Sequence, residues 1–535
     1  MHAVSLNWLD LLIIGAYFLV IVLIGLRLRG ETNTPAQFFH AGRSLPAIVT
    51  GIAFVAANCG ALEVMGIVSA AAKYGARANS FYWVGAIPAM LFLALFMMPI
   101  YFRSKALSVP EFLKLRFNEK TRILNAVSFA SLMILVSGIS LYAMAIILRE
   151  FLGWSFATGV VLAAVFVLLY VVLGGLKATI YNEVLQFVLL VAGLLPLAIF
   201  ILKDFHGFGG LRAAMPTAMS HTWKGLPFSS PSQSPMDVFG TVVGLGFVLG
   251  CGYWCTDFLL IQRALAARDL KASVETPLIG AVTKLFFPLL VVLPGLAAVA
   301  LFPSNLAARY DLALPALLGH YYGHGLLGLG VTAMLASFMS GMAGNITAFN
   351  TVWTHDLYRA HLVKNESDRH YVRVGRITTV VATILSIATA YIVLSFNSLM
   401  DYVQLLFSFF NAPLFATFLL GMFTTWATPA AGFWGLLAGI FAALLHNILY
   451  RLHWIHYGSD MSANFYGAMA GWSVCFLTTC VVSLWTAKKP AEELQGVVFE
   501  RHPSEETTTP GLMRAPWIMA TTIAALCLLL NWIFR

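Results

Sequence analysis

Glu63, Asp257 and Lys284 stand inside long apolar runs of a 535-residue sequence. A charge in hydrocarbon is costly, so ionisable side chains at that depth face a protein interior or a water-filled cavity. Their signs allow either a buried structural ion pair or the lining of a polar cavity, and the sequence leaves both open. Glu63 closes the run Ala56-Ala57-Asn58-Cys59-Gly60-Ala61-Leu62-Glu63, which is small, polar and helix-weakening where a membrane helix should be most apolar. Asp257 closes a second such run, GLGFVLGCGYWCTD, at 244–257. Ser337 and Ser340, spaced i, i+3, share a helix face and offer oxygens of the hard kind that an alkali cation prefers. Serines in membrane helices also bond the preceding turn or a neighbouring helix, and that reading stands beside the first. Tyr253 and Trp254 lie within the second run and either pack, stack on a ring or gate a cavity. Asp401 opens an apolar run and reads as a helix N-terminal carboxylate.

The elements that must position these groups follow from composition. Hydrophobic residues make up 60% of the chain and charged residues 10%, where soluble domains carry about 25% charged residues. Apolar runs of about 20 residues recur, each enough to cross roughly 30 Å of hydrocarbon. The sequence predicts an all-α polytopic membrane protein with about 14 transmembrane helices. Its expected organisation is a first peripheral helix and inner loop at 1–45, five helices at 46–202 and an outer loop at 203–235. Five more helices follow at 236–424, two peripheral helices at 425–487, a flexible inner linker at 488–514 and a last helix at 515–535. The two weak runs fall on the first helix of each five-helix block. Backbone freed at membrane depth survives only where protein or cavity water satisfies it, and secondary transporters bind ions and substrates at such breaks. An odd number of spans per block gives opposite orientations and an inverted repeat with its site at the midplane. The alternative is that the glycines only permit close helix packing.

The net charge of +9 reads as topology and not as a surface for nucleic acid. With the N-terminus outside, Arg27, Arg43, Arg103, Lys105, Lys114, Arg116, Lys120, Arg122, Arg263, Arg268 and Lys271 collect on the inner side. The positive-inside rule then places both termini outside the cell membrane. The loop 103–122 mixes basic and apolar residues, as a short helix lying at the inner interface would. The six cysteines fall inside apolar runs without metal-ligand or disulfide-like spacing and read as small hydrophobes.

In order along the chain, FFHAGRSLP (38–46), KYG (73–75), SVPEFLKLRF (108–117), GGLKATIYNEVLQ (174–186), YWCTDFLLIQRALAA (253–267), TKLFFPLLVVLPGLAA (283–298), HDLY (355–358) and FLLGMF (418–423) resemble the sodium/solute symporter family. That group contains bacterial and animal sodium/glucose cotransporters. The resemblance implies a leucine-transporter-like fold with a five-plus-five inverted repeat core, and sodium-driven uptake of a solute. It places the sodium (Na+) site on backbone oxygens of Ala56, Cys59 and Ser337 and on the hydroxyl of Ser340. Gly341 occupies the position of a second serine, so one hydroxyl is missing, and restoring it is expected to strengthen sodium dependence. Glu183 matches an acidic residue beside this site. On the solute side, Glu63 falls where a glutamine binds sugar, Asp257 matches an asparagine, and Lys284 and Gln404 match residues of the same type. The acidic sugar contact and a nearby serine correspond here to Tyr82 and Gly85, which departs from the pattern.

The expected function is symport of a sugar or other polyhydroxylated solute, with Tyr253 and Trp254 as a gate. The partners are the solute, sodium and the lipid bilayer, and nothing in the sequence calls for an obligate protein partner. Two amides turned to acids also suit an amino acid or amine, or proton coupling. A transporter-like sensor is a third reading. An enzyme would need clustered catalytic side chains, and no nucleophile–base motif stands out.

Overall fold

The computed structural model describes residues 6–28, 43–302, 309–396, 398–499 and 514–535. Most of the block 38–46 and of the linker 488–514 therefore lies outside the described residues, as do 1–5, 29–42 and 303–308. The described chain is helical: α1 Trp8–Leu28, α2 Ala47–Asn58, α3 Leu62–Asn79, α4 Phe81–Arg103, α5 Glu119–Leu152, α6 Phe156–Asp204, α7 Gly240–Thr256 and α8 Phe258–Leu265. It continues with α9 Leu270–Leu301, α10 Leu326–Leu362, α11 Asp368–Val393, α12 Leu399–Phe423, α13 Pro429–Arg451, α14 Asp460–Trp485 and α15 Arg514–Ile533.

Among the described residues, ten helical stretches are long and apolar enough to cross a membrane, and two bent pairs raise the number to twelve if each is one span. The pairs are α2 with α3, bent by 57°, and α7 with α8, bent by 48°. Two shorter apolar stretches, Trp8–Ile24 and Phe156–Leu169, fall on the first and fifth expected spans. The sequence predicts two of the five helices of 46–202 at 155–176 and 178–202, whereas helical hydrogen bonding runs unbroken through α6, whose one internal proline is Pro196. Nothing at 176–178 removes an amide donor, so the ladder continues.

Polar side chains fix where helices begin. Asn118 caps α5 by accepting from the Thr121 amide at 2.9 Å, and Asp269 caps α9 through the Ala272 amide at 2.7 Å. The centre of the bundle is formed by α5, α10 and the broken pairs. Of its apolar window, α10 buries 89% against 22% for α15, which marks α15 as peripheral.

Three basic residues counted toward the inner face are not surface charges. Arg116 is fully buried at the end of the helix Val109–Arg116 and donates to the carbonyls of Gly421 (2.5 Å), Thr424 (2.8 Å) and Ala427 (3.1 Å). Arg122 binds Asp356 at 2.8 Å, and Arg263 binds Glu183 at 2.5 Å. A guanidinium offers five donors, enough to bind protein carbonyls or carboxylates in place of water. The helix in 103–122 is therefore docked on protein: Phe112 stacks on Phe418 of α12 with ring centroids 5.4 Å apart. The described start of the expected flexible linker also docks. Leu494, Val497 and Val498 are buried there, and the Phe499 amide donates to the Met422 carbonyl at 2.6 Å.

Candidate functional site

At the first break, α2 ends at Asn58 and α3 starts at Leu62, so carbonyls near the bend lose their ordinary intrahelical donors. Two hydroxyls from α10 meet them. Ser340 Oγ donates to the Ala56 carbonyl at 3.1 Å, and Ser337 Oγ donates to the Cys59 carbonyl. The structure thus brings Ala56, Cys59, Ser337 and Ser340 together, all buried. Gly341 joins them by backbone alone: a Cβ on Gly341 would lie 2.9 Å from the Gly60 Cα, and one on Gly60 would lie 3.0 Å from the Gly341 Cα. Real Cβ atoms are not found so close without displacement, so the side-chain-free pair sets the spacing of α10 against the break. This oxygen cluster has the chemistry to hold a hard monovalent cation when the hydroxyls turn their lone pairs inward.

A second polar cluster lies on the other side of Asn58. Lys284 Nζ, from the middle of α9, donates to Glu63 Oε1 and to Asn58 Oδ1, both at 2.6 Å. The Tyr82 hydroxyl donates to the same Glu63 oxygen, and Asn58 Nδ2 donates to the Tyr253 hydroxyl at 3.0 Å. The ammonium is fully buried and ringed by aromatic faces, with Phe287 at 4.4 Å, Tyr82 at 5.5 Å and Trp254 at 5.6 Å from it to the ring centroids. Cation–π attraction and the carboxylate together make an ammonium tolerable there.

Glu63, Tyr82, Gly85, Gln404, Tyr253 and Trp254 line one cavity of about 50 Å³. At roughly 10–15 Å³ for each water-sized particle, that volume holds only a few waters. A larger solute requires movement of its wall, in which Tyr253 stacks on Phe407 with centroids 4.7 Å apart and an 18° interplanar angle. Trp254 meets Tyr253 edge-on at 5.2 Å. Gln404 Oε1 is buried without a hydrogen-bond partner among the described residues, which leaves an acceptor for a solute hydroxyl.

Asp257 stands apart from this cluster. It occupies the bend between α7 and α8, where its Oδ1 accepts from the Leu259 amide at 2.9 Å and caps α8. It lines a different cavity, with Asn58, Ser140, Gly341 and Asn345. Of the three intramembrane charges, Glu63 and Lys284 pair and Asp257 is left out. Glu183 is fully buried in a two-pronged contact with Arg263, Nη2 to Oε1 at 2.5 Å and Nε to Oε2 at 3.4 Å. Asp401 does more than begin α12: Lys73 binds it at 2.6 Å and the Tyr74 hydroxyl at 2.8 Å.

Sequence reasoning missed three participants. Asn58 was visible as a polar residue at a break, yet its bridging of Lys284 and Tyr253 spans 226 and 195 positions. Arg263 reads as a loop cation beside Arg268, and Phe407 as one apolar residue among many.

A helical membrane bundle with two bent, broken spans, and buried polar groups gathered at the breaks, is the architecture of a secondary transporter. Residues 38–439 match the Sodium:solute symporter family, and the chain belongs to that family. Among similar proteins, the sodium/glucose cotransporter of Vibrio parahaemolyticus is 28% identical over 463 residues, covering 82% of this chain and 85% of that protein. The sodium/mannose cotransporter of Bos taurus is 30% identical over 483 residues, covering 84% and 80%. A solved structure of a Na+-coupled sialic acid symporter superposes with a TM-score of 0.79 at 20% identity, covering 90% of this chain and 99% of that one, a likeness of fold.

Proposed function

We propose that this protein is a sodium-coupled symporter that imports a small polyhydroxylated solute of the sugar class by alternating access. The observation that carries this reading is the meeting of Ser337 and Ser340 with the carbonyls of Cys59 and Ala56 at the bend between α2 and α3. In the proposed cycle sodium binds these oxygens, and the solute binds beside it through Glu63, Lys284, Gln404 and Tyr82, with Tyr253 and Trp254 as the movable wall. Asn58 is one residue from Cys59 and hydrogen-bonds both Lys284 and Tyr253, so order imposed at the bend by a cation is felt in the solute cavity. Linkage then requires the solute to raise sodium affinity by the factor that sodium raises solute affinity. The sodium gradient and the membrane potential, about 2.3 kcal/mol per charge at 100 mV, supply the driving force.

The Glu63–Lys284 pair bears on the solute. A carboxylate already neutralised by an ammonium at 2.6 Å has no net charge to offer an amine, which favours a neutral hydroxylated solute over the amino acid or amine reading. The inverted repeat of two five-helix blocks and the placement of both termini outside belong to the same proposal. The two bent pairs α2–α3 and α7–α8, each at the head of its block, support the repeat, and the charge distribution along the chain supports the placement of the termini. Uptake by proteoliposomes across a panel of sugars, polyols, amino acids and amines, with a sodium, proton or no gradient imposed, tests all of this. Sodium-driven accumulation of a sugar-like solute is expected. Accumulation without sodium, or binding without transport, would replace the symport reading with a proton-coupled carrier or a sensor.

A further inference from the structure

Four of the eight carboxylates buried in the described bundle have a Lys or Arg partner: Glu63 has Lys284 (2.6 Å), Glu183 has Arg263 (2.5 Å), Asp356 has Arg122 (2.8 Å) and Asp401 has Lys73 (2.6 Å). Asp237 and Asp311 have none but accept hydrogen bonds on both oxygens. Asp10 accepts from the amides of Gly325 and Gly328 at 2.7 and 2.8 Å. Asp257 has no ion pair among the described residues. It is 2% exposed, its Oδ1 is used by the Leu259 amide, and its Oδ2, near the Asn411 side-chain amide, makes no hydrogen bond of good geometry among the described residues. The cation nearest along the chain, Arg263, is held by Glu183 and by the Leu259 carbonyl. A buried carboxylate left in this way carries a desolvation penalty that only a bound cation or a proton removes.

The space beside it fits such an occupant. Asp257 lines a cavity of about 20 Å³, above the roughly 10–15 Å³ that one water-sized particle needs. Oxygen-bearing side chains from three further elements line the same cavity: Asn58 at the first break, Ser140 of α5 and Asn345 of α10. Gly341 forms part of the wall, one residue from Ser340 of the oxygen cluster. Ser140 Oγ lies 3.6 Å from where a Cβ on Gly341 would stand, so α5 brings a hydroxyl toward the position whose own side chain is absent.

We propose that this cavity is a second sodium site, in which the Asp257 carboxylate, the Ser140 hydroxyl and the Asn345 amide oxygen hold one ion separately from that held at Ala56, Cys59, Ser337 and Ser340. The site deepens the symport reading and rests on it for the choice of cation. Its consequence is two sodium ions per protein, with Asn58 and Tyr253 shared between this cavity and the solute cavity. Carboxylate, hydroxyl and amide oxygens are the ligands a hard cation selects.

Equilibrium binding of radioactive sodium to the purified full-length protein, without added solute, tests the assignment. The unaltered protein should bind two ions. Asp257→Asn and Ser340→Ala should each bind one, and Ser140→Ala should weaken one of the two about tenfold while remaining monodisperse. If Asp257→Asn is not folded, as judged by size-exclusion chromatography, the Ser140→Ala result decides. One ion in the unaltered protein, lost in Ser340→Ala and kept in Asp257→Asn, overturns this site and leaves the symport reading standing. An ion lost in Asp257→Asn and unaffected by Ser340→Ala supports this site and overturns the one at the first break. A proton in place of sodium leaves the count at one in both the unaltered protein and Asp257→Asn, and also overturns the proposal.

Discussion

Gly60 and Gly341 meet backbone to backbone across the bend between α2 and α3 and the long helix α10, with no room for a Cβ on Gly341 and little on Gly60: an added carbon meets the opposite Cα at 2.9 and 3.0 Å. This contact gives Gly341 a packing role beside the one expected from the sequence. Gly341 looks there like a lost sodium ligand, and in the structure it is the residue that lets α10 reach the bend.

Gly341→Ser should therefore fail to strengthen sodium binding. Overpacking costs about 1–3 kcal/mol, so a lowered melting temperature in detergent and weaker sodium-dependent uptake are expected, with Gly60→Ala behaving alike. A Gly341→Ser protein with unchanged melting and tighter sodium binding would show that α10 can back away at no cost.

The Glu63–Lys284 pair should show strong coupling. Removing one partner of a buried pair costs about 3–5 kcal/mol because the other charge is left unpaired, whereas replacing both can be close to neutral. Glu63→Gln and Lys284→Met should each lower the melting temperature, and the double variant should recover much of the loss without recovering solute uptake. Additive melting losses would mean that the two side chains do not share one interaction.

Glu183 and Arg263 should behave as a structural unit. Glu183→Gln and Arg263→Met are each expected to destabilise, with the double variant closer to the parent. Half-saturating sodium concentration separates the roles: an unchanged value in the folded double variant assigns Glu183 to structure, and a rise of several-fold assigns it to the ion site.

A pH dependence should come from Asp311, in the Tyr310–Leu312 turn outside the spans. Burial pushes its carboxyl up from 3.8 to about 6, only partly offset by bonds from the Leu399 amide and the Tyr142 hydroxyl, each at 3.3 Å. The folded state favours the neutral acid, so this contribution to stability is full below about pH 3.8 and is lost as pH rises through about 6. Melting temperature should fall over that window in the parent and fall less in Asp311→Asn. An equal slope in both proteins would assign the dependence elsewhere.

Class, broad architecture and the places of interest are local properties, and the sequence carries them. Apolar run length marks a polytopic chain, ten to twelve of whose candidate spans lie among the described residues, and the polar runs at 56–63 and 244–257 locate the bends, because a short stretch of weak helix formers acts where it stands. The order of motifs from 38 to 423 carries the family. What the sequence could not state is which charge meets which. Glu63 with Lys284, Glu183 with Arg263 and Asp356 with Arg122 are pairs 221, 80 and 234 positions apart, formed by helices that meet only in the folded bundle. Charge counting set Arg263 among surface cations. Tertiary packing decides otherwise, since a buried ion takes whichever partner the neighbouring helix brings. Glu63 receives the one lysine that α9 delivers to the first break, and Asp257, at the other bend, receives none.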